Sequence, residues 1–283
     1  MDSMILNGFC FYLYPCCCLS VLVNFNSKCT SMHRFFFSIS AILFLFACSP
    51  HLSVYQLTTK NIPVNNQSAM VDSQVEAIVK PYHDSIEHDM TKLIAVSASP
   101  LVKGKPESRL TNLISDILLK SAADYCKINN LNLTPDASYV NYGGLRASLP
   151  QGNITVRNVF ELMPFENEIV IIKVSGESIQ KMAERIAARG GEGVAGLTIG
   201  IRDAKPATLK IGGKAVDPLA LYWLVTNDYC ANGGDQMSML SDPVQRINTR
   251  MKIRDVLIQA LADRYKKDGI ISVKEDGRIY NEQ

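Results

Sequence analysis

From residue 74 onward, helical and β-rich segments alternate along this chain, and the alternation limits the architectures that it can adopt. Apolar residues recur at helical spacing over 74–93, where Pro81 predicts a break, and over 110–126, where Ser108 is the expected N-cap. Further helices are expected over 155–162, 176–188 and 250–265, and strands over 94–97, 137–141, 168–174, 197–202, 208–211, 221–226 and 277–280. Gly212-Gly213 predicts one hairpin turn. Interleaved helices and strands with one hairpin predict an α+β fold, in which helices flank a mixed β-sheet.

The composition is that of a globular protein. The chain has 283 residues, of which 47% are hydrophobic and 20% charged, enough for one good-sized domain or two small ones. The net charge is only +2, from 29 basic and 27 acidic residues, and no run of five like charges occurs. Nothing in this pattern indicates a nucleic-acid binder or a polybasic membrane surface.

The apolar run over residues 35–47 is too short for an ordinary membrane-spanning helix, and Met32-His33-Arg34 precedes it. This layout predicts a signal peptide over 32–47. The run ends in Leu45-Phe46-Ala47-Cys48, which resembles a bacterial lipobox, so Cys48 is the expected lipidation site. The acyl chains would anchor the protein to a membrane on its extracytoplasmic side, at the periplasmic face or the cell surface. The alternative is an uncleaved hydrophobic anchor that ends at a cysteine by chance.

Residues 1–31 hold most of the cysteines of the chain and no basic start typical of a signal peptide. We expect these residues to be upstream sequence assigned to the protein in error, with Met32 as the true start. The alternative is a second apolar segment over 9–23, although Pro15 lies in its middle. We then expect the polar residues 48–73 to form a tether and residues 74–283 to form the folded domain.

Two glycine-containing segments hold side chains that are suited to binding a ligand. Asn141–Arg146 and Thr226–Asp235 each place glycines beside a charged group and an aromatic ring. Glycines let the backbone approach a ligand closely, and a ring offers a flat apolar face. An arginine presents a planar fork to phosphate, and an aspartate accepts hydrogen bonds from hydroxyls. Together these groups suit the base, the ribose and the phosphate of a nucleotide.

Six segments in a fixed order carry a family resemblance. They are Glu107–Leu113, Asn141–Arg146, Gly152–Thr155, Pro164–Asn167, Val174–Gly176 and Thr226–Asp235. In this order and spacing they resemble the C-terminal, substrate-binding domain of the 5′-nucleotidase / UDP-sugar hydrolase family, over essentially all of residues 75–280. The resemblance implies that domain's fold, a mixed sheet flanked by helices.

The substrate-binding residues that the resemblance implies are Asn141, Arg146, Phe165, Asn167, Tyr229 and Asp235. Phe165 and Tyr229 would stack on the two faces of the base, and Asp235 would bind ribose hydroxyls. Arg146 would contact phosphate, and the two asparagines would make polar contacts with the nucleoside.

The chain departs from the family at two places that bear on phosphate. Tyr142 stands where members usually have another glycine. Lys103 and Lys105 occupy the stretch where members often carry one or two arginines, and a lysine can replace the charge but not the fork.

The resemblance does not extend to the metal-binding half of the family. Relatives hydrolyse phosphate esters with two metal ions held by an N-terminal metallophosphatase domain, which requires several His, Asp and Asn ligands. The chain has four histidines, His33, His51, His83 and His88, none in a motif of that kind. His83 and His88 are five residues apart and do not share a helix face well, so a solvated helix side is the better interpretation. We therefore expect no catalytic residue, metal or cofactor in this chain.

The first hypothesis is that the chain is the nucleotide-recognition subunit of a 5′-nucleotidase-type phosphohydrolase. Its partners would be a nucleotide or nucleoside and a separate metallophosphatase chain that supplies the divalent metals. The alternative is a non-catalytic, extracytoplasmic lipoprotein that binds nucleotides or nucleosides. A third possibility is a structural relic that binds nothing.

Overall fold

The computed structural model describes residues 72–283, together with Thr59. The expected upstream segment 1–31, the signal peptide 32–47 and Cys48 lie outside the described residues, as does the tether 48–73 apart from positions 59, 72 and 73.

The described part of the chain contains six α-helices and eleven β-strands. The helices are α1 (Ser73–Met90), α2 (Arg109–Ile128), α3 (Val156–Leu162), α4 (Gly176–Ala188), α5 (Asp228–Ala231) and α6 (Ile253–Asp268). The strands are β1 (Leu93–Ser97), β2 (Ala137–Val140), β3 (Gly152–Thr155), β4 (Glu168–Ser175), β5 (Gly193–Ala195), β6 (Leu197–Arg202), β7 (Lys205–Ile211), β8 (Lys214–Ala215), β9 (Leu221–Asn227), β10 (Gln245–Lys252) and β11 (Ile279–Asn281). Ser108 caps α2, as predicted, by accepting from the amide of Thr111.

A five-stranded sheet with the order β10-β4-β9-β2-β5 forms the centre of the fold. Its β2–β9 pair is parallel and its other neighbours are antiparallel. A second sheet with the order β11-β6-β7-β8 has one parallel pair, β11–β6, and the predicted hairpin joins β7 to β8. β1 and β3 form a separate antiparallel ribbon. The α+β class with mixed sheets is therefore confirmed.

The middle of the central sheet is buried on both faces. Along β4, Ile169 and Ile171 belong to one core, whereas Val170 and Ile172 belong to the other, as the two-residue period of a strand requires. The first core is completed by α2, α3 and α6, and the second by α4 and the four-stranded sheet. Because both faces bury apolar side chains, β4 reads as a nearly continuous apolar run, and its alternation in the sequence is weak.

Two local predictions are wrong. The helix predicted to break at Pro81 continues through it as α1. All of residues 72–80 are exposed, so the carbonyl group that loses its hydrogen bond to the proline can bind water instead. The helix predicted from Arg250 begins at Ile253, because residues 245–252 pair with β4 as an edge strand.

Candidate functional site at one edge of the central sheet

The loops that adjoin four strands meet at one edge of the central sheet. β2 and β9 run parallel, so the segment after Val140 lies beside the segment after Asn227. β4 and β5 run antiparallel to these strands, so the residues that precede Glu168 and Gly193 reach the same edge. The six expected ligand-contact residues all belong to these loops, and the strand order therefore gathers them.

Two aromatic side chains are partly exposed at this edge. Phe165 is 43% exposed and Tyr229 is 51% exposed. The amide of Glu168 donates to Oδ1 of Asp228 over 3.1 Å, which joins the start of β4 to the start of α5. Phe165 lies three residues before that junction and Tyr229 directly follows it. Both rings are thus partly exposed on segments that adjoin the same junction.

The turn that carries Phe165 is fixed by its neighbour Glu166. This carboxylate forms ion pairs with Lys252 and Arg254, which together lower its pKa. The side chain of Arg254 is only 9% exposed and lies over the ring of Phe160, 4.1 Å from its centroid. A buried, stacked arginine holds a carboxylate in a defined position, and the turn at Phe165 is therefore held in place.

Tyr229 packs closely against Gly234. A Cβ atom on Gly234 would lie 2.5 Å from the ring of Tyr229, so a larger residue there would require the ring to move. Gly233 has φ of +85°, a conformation that favours glycine. The Gly-Gly pair that the sequence singles out thus allows close packing of the ring and a left-handed turn before Asp235.

Asp235 lies at the centre of the site in a left-handed backbone conformation, with φ of 56°. Its Oδ1 accepts from Arg189 over 2.7 Å and its Oδ2 from Nδ2 of Asn141 over 3.0 Å. Burial alone would raise the pKa of the Asp235 carboxyl, but the hydrogen bonds from Arg189 and Asn141 outweigh it and hold the pKa below its usual value. A carboxylate has about four acceptor positions, so Asp235 keeps capacity for further donors.

Asn141 is buried, 5% exposed, and links the two glycine-containing segments. Its Nδ2 donates to Asp235, and its Oδ1 accepts from Nδ2 of Asn227 over 3.0 Å. A Cβ on Gly144 would lie 2.9 Å from that Oδ1, so the glycine makes room for the amide. The observed contacts of Asn141 are with the protein itself, and a contact with a nucleoside stays a prediction.

Three cations surround the loop after β2. Arg146 is exposed and donates to the carbonyl oxygen of Gly143 over 3.3 Å. Lys103 donates to the carbonyl oxygen of Leu145 over 2.8 Å, and its ammonium lies 4.2 Å from the ring centroid of Tyr142. Burial, and the neighbouring charges of Arg146 and Lys105, lower the pKa of Lys103. Lys105 lies over the same ring at 5.0 Å. Two lysine ammonium groups thus lie over the ring of Tyr142, close to Arg146.

The remaining predicted positions are less informative. Asn167 is half-buried at the start of β4, where its carbonyl oxygen accepts from the amide of Ile253 over 2.9 Å. His83 and His88 lie on the exposed surface of α1. Within residues 72–283, no group of three or more His, Cys, Asp or Glu side chains could hold a metal ion. None of the helices in this region has the length and apolar character needed to cross a bilayer.

Sequence reasoning missed two residues that are central to the site. Arg189 and Glu192 flank the Gly190-Gly191 pair just before β5, and both contact the loops described above. Part of the sequence signal was present, because Gly190-Gly191 also lies beside charged residues, although without the aromatic ring of the other two segments. It was interpreted only as the end of α4.

Residues 93–242 match the family model of the 5′-nucleotidase C-terminal domain, more than half of the chain. The chain belongs to this family. Among curated relatives, the 5′-nucleotidase of Vibrio cholerae is 27% identical over 217 residues, 70% of this chain and 37% of that protein. Protein UshA of Escherichia coli is 28% identical over 127 residues, 43% of this chain and 23% of that protein.

Solved structures show the same fold for this 5′-nucleotidase C-terminal domain. A 5′-nucleotidase precursor from Thermus thermophilus superposes with a TM-score of 0.61 at 24% identity, over 76% of this chain and 44% of that one. A putative 5′-nucleotidase from Staphylococcus aureus superposes with a TM-score of 0.59 at 18% identity, over 78% of this chain and 46% of that one. The chain thus spans less than half the length of each relative described here.

Proposed function

We propose that this chain is the nucleotide-recognition subunit of a 5′-nucleotidase-type phosphohydrolase. The observation that carries the proposal is the meeting of Phe165, Tyr229, Asp235 and Arg146 at one sheet edge. These are the groups that a base, a ribose and a phosphate require, and they lie on loops that hydrogen bonds and ion pairs hold in place. Membership of the family supports the same interpretation.

Each part of a nucleotide has a matching group. The two half-exposed rings offer flat faces for a base, with each stack contributing about 1–3 kcal/mol. Asp235 has acceptor positions left for ribose hydroxyls. The exposed guanidinium of Arg146, with Lys105 nearby, presents positive charge and a planar fork to a phosphate. The role of this chain in a reaction would be to bind and orient the nucleotide.

The metal ions of the reaction would come from a separate metallophosphatase chain. The family match is to a C-terminal domain, and the described residues offer no metal-ligand group of their own. The exposed helix α1 immediately precedes the matched region and carries a stripe of exposed apolar side chains: Val75, Ile78, Val79, Tyr82 and Ile86. Such a stripe is typical of a helix that packs against another surface, and we assign it to the partner.

The decisive experiment is reconstitution. The full chain is mixed with a metallophosphatase chain of the 5′-nucleotidase type from the same organism, and phosphate release from AMP and UMP is measured with Mn²⁺ or Mg²⁺. We expect each chain alone to give background rates and the mixture to give hydrolysis. The Phe165→Ala variant should stimulate less. A mixture no more active than the partner alone would contradict the proposal.

A second candidate is a binder without chemistry. It is favoured by one observation, that Arg189 and Asn141 of this same domain already hold the Asp235 carboxylate in a defined position. Calorimetry with adenosine and AMP distinguishes the two. Binding by the isolated chain without stimulation of any metallophosphatase would support the stand-alone role, and absence of binding would exclude both.

We further propose that the protein is anchored by lipid at Cys48 on the extracytoplasmic side of a membrane. The support is the sequence pattern over residues 32–48. Mass spectrometry of the N-terminal peptide tests it, since an acylated N-terminal cysteine is expected. An unmodified Cys48 inside a longer peptide would overturn the proposal.

A further inference from the structure

A buried carboxylate lies directly behind the proposed ribose site. Glu192 is 2% exposed, and three donors surround it. The hydroxyl of Tyr139 donates to its Oε2 over 2.6 Å and the amide of Tyr142 over 3.1 Å. Burial, with the nearby charge of Glu192, raises the pKa of the Tyr139 phenol well above its usual value, so the phenol remains a donor. A charge this deeply buried needs a cationic partner.

That partner is Arg189, which holds two carboxylates at once. Its Nη1 donates to Oε1 of Glu192 over 2.7 Å, and its Nη2 donates to Oδ1 of Asp235 over 2.7 Å. The same Nη2 also reaches the carbonyl oxygen of Asp235 at 2.9 Å. The ion pair with Asp235, and then that with Glu192, raises the pKa of the Arg189 guanidinium. A planar fork can make these bonds together, whereas a lysine ammonium cannot match their geometry.

The contacts hold Asp235 in a left-handed conformation that is uncommon for residues other than glycine. A non-glycine residue in the left-handed region persists when its surroundings over-determine it. Arg189 grips both the side chain and the main chain of Asp235, and Asn141 holds the other carboxylate oxygen. The orientation of the carboxylate therefore depends on a guanidinium that Glu192 anchors from within the protein.

We propose that Arg189, held in place by Glu192, is the positioning residue that aims the Asp235 carboxylate at the hydroxyl pair of a ribose. The inference rests on the proposed nucleotide-binding function and extends it by naming the residues that set recognition of the sugar. Arg189 acts through Asp235 and needs no contact with the ligand. Its effect should consequently depend on whether the ligand carries ribose hydroxyls.

The test pairs two ligands with three variants of the full chain. Calorimetry measures the affinity for adenosine and for 2′,3′-dideoxyadenosine, which keeps the base and lacks both hydroxyls. Arg189→Lys keeps the charge and removes the fork, and Glu192→Gln removes the anchoring charge at nearly constant size. Arg185→Lys is the control, because Arg185 lies one turn earlier on α4 and donates to Gln236, and the lysine keeps the positive charge that also acts on Asp235.

The unmodified chain should bind adenosine more tightly than the dideoxy compound. Arg189→Lys should lose about tenfold in affinity for adenosine and little for the dideoxy compound, because only hydrogen bonds to the carboxylate are lost. Glu192→Gln should show the same selective loss to a smaller extent, and the control variant should show none. Thermal unfolding reports whether each variant is folded, and Glu192→Gln carries the test if Arg189→Lys is not.

Equal losses for the two ligands would mean a purely structural role and would overturn the inference while leaving nucleotide binding intact. Unchanged adenosine affinity in both folded variants would overturn it as well. Failure of the unmodified chain to bind either ligand would instead overturn the proposed function, and the inference with it.

Discussion

Individual side chains at the sheet edge divide between exposed positions and buried, hydrogen-bonded positions. Phe165 and Tyr229 are about half exposed, whereas Asn141 and Glu192 are buried and bond other protein groups. The exposed faces of the two rings are available to pack on a ligand. The buried polar groups must stay paired, since an unpaired buried group costs about 1–3 kcal/mol.

Removing one ring should weaken binding without loosening the fold. Phe165→Ala is expected to reduce affinity for AMP by about tenfold, because base–aromatic stacking contributes about 1–3 kcal/mol. The thermal midpoint should change little, since the ring is already 43% exposed. Calorimetry and a melting curve measure the two effects.

The matched control for Phe165 is Leu219→Ala. Leu219 is 91% exposed and precedes β9 at the end of the sheet away from the site. This variant should bind AMP as the unmodified chain does. An equal loss of affinity in both variants would show that exposed apolar area in general, and not the ring at 165, is responsible.

At the scale of whole elements, α1 differs from every other long helix of the described region, because it buries none of its own residues. Its attachment to the domain includes an ion pair between Glu87 and Arg157 at 2.6 Å. Its apolar stripe remains open to solvent, which is the arrangement expected of a helix whose packing partner is another chain.

A charge on the apolar face of α1 should block partner stimulation and leave nucleotide binding unchanged. Ile78→Asp places a carboxylate on the stripe, where Ile78 is 68% exposed. Ala77→Asp places the same charge on the opposite, exposed face and is the matched control. We expect phosphate release in the reconstituted mixture to fall severalfold for Ile78→Asp only. Equal activity of the two variants would show that the apolar face of α1 does not contact the metallophosphatase partner.

At the scale of the whole molecule, the site network contributes to stability in a pH-dependent way. The folded-state pKa of Asp235 lies below the ordinary value of about 3.9. Stabilisation by the ionised carboxyl is therefore complete above that ordinary value and is lost as the pH falls through the folded-state pKa. Asp235→Asn should lower the free energy of unfolding by about 1–3 kcal/mol at pH 7, with the difference shrinking below pH 4.

Urea unfolding at pH 7, 5, 4 and 3 measures this dependence. Asp242→Asn removes an exposed carboxyl elsewhere and should follow the unmodified chain at each pH. A gap between Asp235→Asn and the unmodified chain that stays constant down to pH 3 would contradict the assignment of this carboxyl as a stabilising charge.

The sequence by itself determined the local structure of most elements. The helical spacing of apolar residues and the capping residue Ser108 predicted α2, and the sequence also predicted α4 at its observed bounds. These signals act over a few neighbouring residues. It missed β3, β5 and β10, which are short or exposed strands that exist only because a partner strand pairs with them.

The sequence also indicated the six candidate ligand-contact residues, whose roles stay predictions. Only the tertiary structure decided how they are held. Arg189 and Glu192 lie more than forty residues along the chain from both Asn141 and Asp235. The order of the strands brings the four residues together. The spacing of apolar side chains and the pairs of glycines are signals between near neighbours in the sequence. Contacts between buried charged side chains depend instead on which strands become neighbours in the sheet. That is why the sequence indicated the residues expected to contact a nucleotide, whereas only the fold showed the hydrogen bonds that hold Asp235 in place.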